Sequence, residues 1–107
     1  MYPNDYISAM YTIKTTPEFE KWLSGIRDRT ARIRLARRID RLQKGQFGDV
    51  KHIAEGVFEL REHFGPGWRM YGVKKGEVII IMLGGGDKSS QSADIAKALQ
   101  KAAVVEE

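Results

Sequence analysis

The middle of the chain concentrates side chains that bind phosphate groups and transfer protons. Residues 57–64 alternate like a strand, so Glu59, Arg61 and His63 are spaced two apart and share one face. Arg69 and Tyr71 share a face of the strand that follows a Gly-Pro-Gly turn. Arginine binds phosphate oxygens through a fixed fork of donors, and histidine transfers protons near neutral pH. We hypothesise that the turn brings the two faces together as a site for a phosphodiester.

Each of these five residues also has a purely structural interpretation. Glu59 and Arg61 could form a surface ion pair, and His63 could be an exposed residue beside the turn. Tyr71, which in a binding site would stack on a base or donate a hydrogen bond, could instead cover one edge of the core. The pattern alone leaves these alternatives open.

A glycine-rich segment, residues 84–91, lies between an apolar strand and the last predicted helix. Phosphate-binding loops occupy this position, because amides at a helix N-terminus point toward an anion. The spacing of a Walker motif is absent, since Asp87 separates the glycines from Lys88. We expect Lys88 to receive one phosphate, with Asp87 and Gln91 as further substrate contacts. The alternative is a turn whose serine residues only cap the helix.

A cationic stretch precedes the middle strands and contributes to a formal net charge of +4 and a pI near 9.5. Asp28 and Asp40 are the acidic residues in this stretch. Its basic residues are Arg27, Arg29, Arg32, Arg34, Arg37, Arg38, Arg41 and Lys44. Clustered arginines neutralise phosphates and release their counterions, so the stretch predicts an anionic partner. We expect Arg37 and Arg41 to contact nucleic acid, while the alternative is a solvated outer helix face.

The composition excludes several kinds of site. The absence of cysteine removes disulfides, thiolate nucleophiles and zinc sites with sulfur ligands. The two histidines, His52 and His63, are too few for a multi-histidine metal site, and the sequence predicts neither a metal nor a cofactor. The chain lacks an apolar run of the roughly 20 residues that cross a bilayer, and it lacks the pattern of a secretory signal. The predicted location is therefore cytoplasmic, without a membrane partner.

The beginning of the chain predicts an extension, residues 1–9, followed by a single domain over residues 10–107. Met10 could itself be the true start, and a strand-like alternation begins there. Thr16 and Pro17 have the residue types of an N-cap and a first helical position. Asp28 is placed to cap a second helix over residues 29–44, which Gly45 ends. The two helices should form an αα-hairpin.

Short strands follow over residues 50–53, 57–64, 68–74 and 77–83, joined by turns that suit an antiparallel meander. The last strand is apolar on both faces, which is typical of an interior position. Gly84, Gly85 and Gly86 should end it, and Ser89 or Ser90 should cap a final helix whose apolar side holds Ile95, Ala98, Leu99 and Ala102. The predicted class is α/β (α+β), with two N-terminal helices packed on a twisted, mainly antiparallel four- to five-stranded sheet and a C-terminal helix.

Several of these segments, taken in order, are similar to the addiction-module killer proteins, a HigB-like branch of the RelE/ParE toxin superfamily. The matching segments are Phe19 with Trp22-Leu23, residues 45–50, Glu59-Leu60-Arg61, Gly67-Trp68-Arg69-Met70-Tyr71, and Gly85-Gly86-Asp87-Lys88-Ser89-Ser90-Gln91 with Asp94-Ile95. The resemblance covers about residues 10–102. Its most specific part is an Arg-x-Tyr strand followed by Gly-Gly-Asp-Lys-Ser-Ser-Gln.

The resemblance implies the toxin of a type II toxin–antitoxin system, a metal-independent endoribonuclease that cleaves mRNA, often on translating ribosomes, and so inhibits translation. It implies a cognate antitoxin encoded beside the toxin, typically a helix-turn-helix protein, and contact with operator DNA only through the toxin–antitoxin complex. By motif, Arg61, Arg69 and Lys88 would contact the phosphate, and His63 or Glu59 would transfer the proton. Several members use a tyrosine or histidine near the C-terminus, which this chain lacks.

Two other functions stay open from the sequence. A ParE-like protein shares the fold implied by the resemblance but inhibits DNA gyrase without being an enzyme. A phage-derived relic would bind its antitoxin and do nothing else. A cluster of Arg, His and Lys on one sheet face favours RNA chemistry over inhibition of gyrase.

Overall fold

Residues 10–106 of the computed structural model are described, and the predicted extension, residues 1–9, lies outside them, as does Glu107. Strands and helices follow one another in the order β1 (Thr12–Thr15), α1 (Pro17–Ser24), α2 (Arg29–Gln43), β2 (Val50–Ala54), β3 (Val57–Arg61), β4 (Trp68–Lys75), β5 (Ile79–Asp87), a 3-10 helix (Lys88–Ser90) and α3 (Gln91–Val104). Within these residues no helix has both the length and the apolar character needed to cross a membrane.

The strands form one five-stranded sheet in the order β1-β5-β4-β3-β2. The predicted meander is confirmed, because β2 to β5 pair antiparallel with their neighbours along the chain. Strand β1 pairs in parallel with β5, which therefore has a neighbour on each side, as its apolar sequence predicted. The predicted fold class is confirmed.

Local capping sets the ends of the first two helices. The side chain of Thr16 accepts a hydrogen bond from the Phe19 amide at 3.2 Å, and Pro17 occupies the first helical position. Asp28 accepts from the Ala31 amide at 3.1 Å. Gly45, just beyond α2, has a φ of 82°, the left-handed conformation that glycine adopts most readily after a helix. Both predicted helix starts are confirmed.

Helices cover both faces of the sheet and bury a separate core on each. On one face α1 and α2 enclose a larger core whose members include Phe19, Leu35, Phe58 and Met82. On the opposite face α3 packs over a smaller core that includes Ala98. This second core covers only part of its face, and polar side chains of β3 and β4 occupy the remainder.

The glycine run is part of a strand, so the prediction that it ends the strand was wrong. Gly84, Gly85 and Gly86 continue β5 and lie opposite residues of β4. A Cβ atom on Gly85 would lie 2.5 Å from ring atoms of Trp22, and one on Gly86 would lie 1.9 Å from the Asp94 carboxylate. Glycine is needed at positions 85 and 86 because side chains of α1 and α3 pack directly against the strand.

One strand boundary and two details of α3 also differ from the prediction. Strand β3 ends at Arg61, three residues before the predicted end, and the chain turns away there. Ser90 stands at the N-cap of α3, but its side chain makes no capping hydrogen bond. Leu99 is 36% exposed and does not belong to the apolar side of α3.

Candidate active site

The register of β3 and β4 places four of the predicted site residues in two facing pairs. Glu59 lies opposite Tyr71, and Arg61 lies opposite Arg69. Directly opposed residues of antiparallel strands share a face, with Cβ atoms roughly 5 Å apart. Two arginines in such a pair repel each other, and an anion bound between or above them would reduce that repulsion.

Arg69 is buried beneath this face, with 3% of its surface exposed. Its Nη1 donates to the carbonyl oxygens of Glu62 at 3.1 Å and Trp68 at 3.0 Å. Its Nε is also buried and has no partner among the described residues. A buried cationic donor without a partner is costly, and a negative charge above this face would offset part of that cost.

Lys88 joins the two arginines from the end of β5. It follows Asp87, the last residue of β5, which lies opposite Trp68 at the start of β4. A Cβ on Gly67 would lie 3.3 Å from Cβ of Lys88 and 3.6 Å from Nη1 of Arg69, so both side chains flank the same glycine. Gly67 has a φ of 80°, which also favours glycine. The structure therefore brings Arg61, Arg69 and Lys88 to the same end of the sheet.

Glu59 lies inside the protein and holds other site residues in place. It is 0% exposed, and its Oε2 accepts from the Tyr71 hydroxyl at 3.0 Å and from Nε2 of Gln91 at 2.9 Å. Its Oε1 lies 3.6 Å from Nε of Arg61. A carboxylate with these surroundings has no open approach from solvent, and this geometry does not favour the proton-transfer role expected from the sequence.

Tyr71 has a similar inward position. The residue is 1% exposed, so its ring cannot stack on a base, and the substrate contact expected for it is corrected. Burial raises the pKa of its hydroxyl above the ordinary value, and the hydrogen bond to Glu59 raises that pKa further. Tyr71 therefore stays a neutral donor to the Glu59 carboxylate.

His63 reaches the site from the loop after β3, which corrects its expected place on the strand face. Its side chain is 68% exposed, and its Nε2 lies 2.5 Å from Oδ2 of Asp49. The hydrogen bond from His63 holds the pKa of Asp49 below its usual value. His63 and Arg61 line one open cavity of about 410 Å³, together with Arg38, Arg41, Gln46, Gly48, Asp49 and Glu62.

The remaining predicted substrate contacts divide into two groups. Arg41 lines the cavity beside Arg61 and His63, whereas Arg37 is exposed on α2 and is not part of the lining. Asp87 caps the 3-10 helix, since its Oδ1 accepts from the amide and hydroxyl of Ser89, and these bonds lower the pKa of Asp87. Gln91 donates to Glu59, so Asp87 and Gln91 hold the turn that carries Lys88, and their contacts with a substrate stay a prediction.

The role of Arg38 was not predicted, because the sequence analysis placed it in a cationic stretch that either contacts nucleic acid or forms a solvated helix face. Arg38 is 4% exposed. Its guanidinium donates to the carbonyl oxygens of Phe47, Asp49 and Arg61 at 2.7 to 2.8 Å and pairs with the Glu62 carboxylate. A signal existed, because position 38 continues the helical spacing of the buried residues Ala31, Leu35 and Leu42.

Asp49 was also missed, because its partner His63 lies 14 residues away and nothing local links the two. Within residues 10–106, no cluster of three or more histidine, aspartate or glutamate side chains is arranged to hold a metal ion.

Comparison with known proteins places the chain in a family. No known family model matches the sequence. An uncharacterized protein of Haemophilus influenzae is 46% identical over 86 residues, which cover 80% of this chain and 87% of that protein. The chain belongs to the same family as this Haemophilus protein. Because that relative is uncharacterized, the membership carries no function with it.

A solved structure identifies the fold. The chain is similar to the E. coli toxin RelE, solved in the free state as a mutant with two arginines replaced by alanine, with a TM-score of 0.71 at 12% identity. The match covers 90% of this chain and 99% of the RelE chain. The fold is therefore RelE-like, as the resemblance implied. The HigB-like branch stays a prediction.

Proposed function

We propose that the chain is the toxin of a type II toxin–antitoxin pair and an endoribonuclease that cleaves mRNA without a metal. One observation carries the proposal: Arg61, Arg69 and Lys88 converge at one end of the sheet. Cations brought together in this way favour an anionic ligand, and RNA supplies phosphates. The RelE-like fold, found in a protein described as a toxin, supports the same function.

Arg61, Arg69 and Lys88 stabilise the charge that develops during cleavage. Attack of a ribose 2′-hydroxyl on the adjacent phosphorus gives a phosphorane with extra negative charge on its oxygens. Donors fixed before the reaction stabilise such a charge by on the order of 3 kcal/mol each. Glu59 and the carbonyl groups of Glu62 and Trp68 restrain the two guanidinium groups, so little reorganisation is needed when the charge forms.

His63 is the proton acceptor in this proposal. Its ring is exposed and lies in the cavity that Arg61 also lines, so a phosphate bound to Arg61 brings the ribose close to the imidazole. Arg41 lines the same cavity and binds a neighbouring phosphate, and Arg37 on the same helix extends the cationic surface.

The proposed partners follow from the resemblance to HigB-like toxins. A cognate antitoxin with a helix-turn-helix domain neutralises the toxin, and the complex binds operator DNA. The substrate is mRNA on translating ribosomes in the cytoplasm, and cleavage there inhibits translation and arrests growth.

Induced expression followed by mapping of transcript 5′ ends tests the function. We expect new 5′ ends inside coding sequences within minutes of induction. Arg61→Ala should lower their rate of appearance about 100-fold, because it removes a donor worth about 3 kcal/mol. Arg27→Ala is the control. Arg27 is an exposed arginine just before the N-terminal end of α2, whereas the cavity lies at the C-terminal end of this helix.

Two results would contradict the proposal. Growth arrest without new 5′ ends, accompanied by DNA damage, would identify an inhibitor of gyrase. Unchanged cleavage by the Arg61→Ala variant would remove the converging cations from the mechanism.

A further inference from the structure

His63 lies outside the regular strands, so the sheet does not hold its ring. Strand β3 ends at Arg61, and 68% of the His63 side chain is exposed. An exposed side chain on a loop samples several rotamers, and a proton acceptor must be held close to one orientation to be efficient. The contact that restrains this ring is the one between its Nε2 and Oδ2 of Asp49, at 2.5 Å.

The Asp49 contact also selects a tautomer. The hydrogen bond with His63 lowers the pKa of Asp49, so Asp49 is a carboxylate at neutral pH and can only accept hydrogen bonds. Nε2 of His63 must then carry the hydrogen. In a neutral imidazole this leaves Nδ1 as the nitrogen with a free electron pair, the atom that accepts a proton.

Asp49 is held where it can act on His63. Its carbonyl oxygen accepts from Nη2 of the buried Arg38 at 2.8 Å and from the backbone amide of Arg61 at 3.0 Å. Nη1 of the same Arg38 donates to the carbonyl of Arg61 at 2.7 Å. Because a guanidinium is a rigid planar fork, these bonds fix the backbone of Asp49 relative to the backbone of Arg61, the residue proposed to bind the phosphate.

We propose that Asp49 is a positioning residue, which holds the ring and the tautomer of His63 so that Nδ1 takes the proton from the attacking 2′-hydroxyl. The proposal rests on the ribonuclease function proposed above. In the step, the 2′-oxygen forms a bond to phosphorus and its proton passes to Nδ1. The bond from phosphorus to the 5′-oxygen breaks, and the leaving oxygen takes a proton from a water molecule. The hydroxide that remains takes the proton from Nδ1, which restores the neutral imidazole. The products are a 2′,3′-cyclic phosphate and a 5′-hydroxyl.

A positioning role and a purely electrostatic role for Asp49 predict opposite effects on RNA cleavage when the charge of Asp49 is removed. The cavity holds Arg38, Arg41 and Arg61, and an exposed carboxylate beside these cations weakens the binding of an anion. Removing its charge should therefore tighten RNA binding or leave it unchanged. If Asp49 positions His63, the same change must slow the chemical step.

The test is single-turnover cleavage of mRNA on programmed ribosomes by the purified toxin, with new 5′ ends counted over time. We expect Asp49→Asn to lower the rate at saturating toxin by about tenfold or more, because proton transfer by a well-placed group contributes about 10²- to 10⁴-fold. The toxin concentration that gives half of the maximal rate should not rise. Asp49→Glu restores a carboxylate and should recover part of the rate. Asp40→Asn is the matched control, because it removes the same charge from an exposed position of α2.

A spectroscopic measurement reports the orientation directly. The chain has two histidines, so the side-chain ¹⁵N signals of His63 can be compared with those of the exposed His52 on β2. Asp49→Asn should change the signals of His63 and leave those of His52 as they are.

The outcomes separate the inference from the function on which it rests. A wild-type cleavage rate in the Asp49→Asn variant would overturn the positioning role. So would a lower rate that is fully explained by the fraction of the variant that is unfolded at the assay temperature. An increase only in the concentration needed for half of the maximal rate would overturn it as well. Absence of cleavage by the wild type itself would contradict the ribonuclease function.

Discussion

The carboxylate of Glu59 is completely buried within a cationic site. A buried charge is tolerated when its oxygens are hydrogen-bonded and an opposite charge lies nearby. Tyr71 and Gln91 supply the hydrogen bonds, and Arg61 supplies the charge. At the scale of single residues, this buried network restrains the side chain that is proposed to meet the phosphate.

Replacement of Tyr71 by Phe tests the network through its pH dependence. At neutral pH the loss of the hydrogen bond to a charged acceptor should lower the free energy of unfolding by about 1.5 to 3 kcal/mol. The folded-state pKa of Tyr71 is raised, so its contribution is fully present below the unfolded-state pKa of about 10 and is lost as pH rises above that value. The stability gap between wild type and variant should therefore shrink above about pH 10.

Chemical denaturation between neutral and alkaline pH measures that gap. Tyr11→Phe is the control, because it removes the same hydroxyl from a half-buried tyrosine whose ring packs against Phe47. A gap for Tyr71→Phe that stays constant into the alkaline range would show that the hydroxyl does not titrate differently in the folded state.

At the scale of the elements, the glycines of β5 decide how closely the helices approach the sheet. Trp22 of α1 lies against Gly85, and Asp94 of α3 lies against Gly86, on opposite faces of the strand. The site depends on this packing, because β5 ends at Asp87 and leads directly to Lys88. The turn that carries Lys88 is therefore placed by contacts on both faces of the strand.

Two neighbouring glycines provide a matched test of this packing. Gly85→Ala should lower the free energy of unfolding by about 1 to 3 kcal/mol, since the added methyl group meets the Trp22 ring. Gly84→Ala adds the same group where nothing lies within 4 Å, in front of a cavity of about 500 Å³. Its effect should be small, or stabilising by a few tenths of a kcal/mol. Equal losses in the two variants, measured by thermal or urea denaturation, would exclude the packing explanation.

At the scale of the whole molecule, the cations relevant to RNA meet at one end of the sheet. The last turns of α2, the ends of β3 and β4 and the residue after β5 all contribute to this end. Several other arginines of α2 make contacts within the protein. Arg38 is buried, Arg32 donates to the Ile26 carbonyl, and Arg34 stacks on the ring of Phe64 at 3.8 Å.

The salt dependence of RNA binding measures how many of these cations bind phosphates. For single-stranded RNA, the slope of log K against log salt concentration decreases in magnitude by about 0.7 for each phosphate that the protein no longer neutralises. Arg41→Ala should reduce the slope by this amount, and Arg27→Ala should not change it. Fluorescence anisotropy with a 2′-O-methyl oligonucleotide suits the measurement, because this ligand lacks the attacking hydroxyl. An unaltered slope for Arg41→Ala would show that Arg41 does not bind the RNA.

Local features of the sequence determined the class of the fold and much of the site. The starts of α1 and α2 follow from Thr16 and Asp28, because a capping bond joins residues only three apart. The shared face of Glu59 and Arg61 follows from strand alternation, and short turns predict antiparallel neighbours. These features depend on a few neighbouring residues, so they can be predicted without knowledge of the rest of the chain.

Burial and long-range pairing were decided only by the tertiary structure. The parallel pairing of β1 with β5, the contact of His63 with Asp49 and the burial of Arg38, Glu59 and Tyr71 join segments that are distant in sequence. The glycines of β5 have the same local signal as a loop, but they pair with β4, and helices packed on both faces leave no room for larger side chains at Gly85 and Gly86. The sequence determined which residues can bind a phosphate. The packing of distant segments decided which of them face solvent and which hold the others in place, because exposure depends on what covers a side chain.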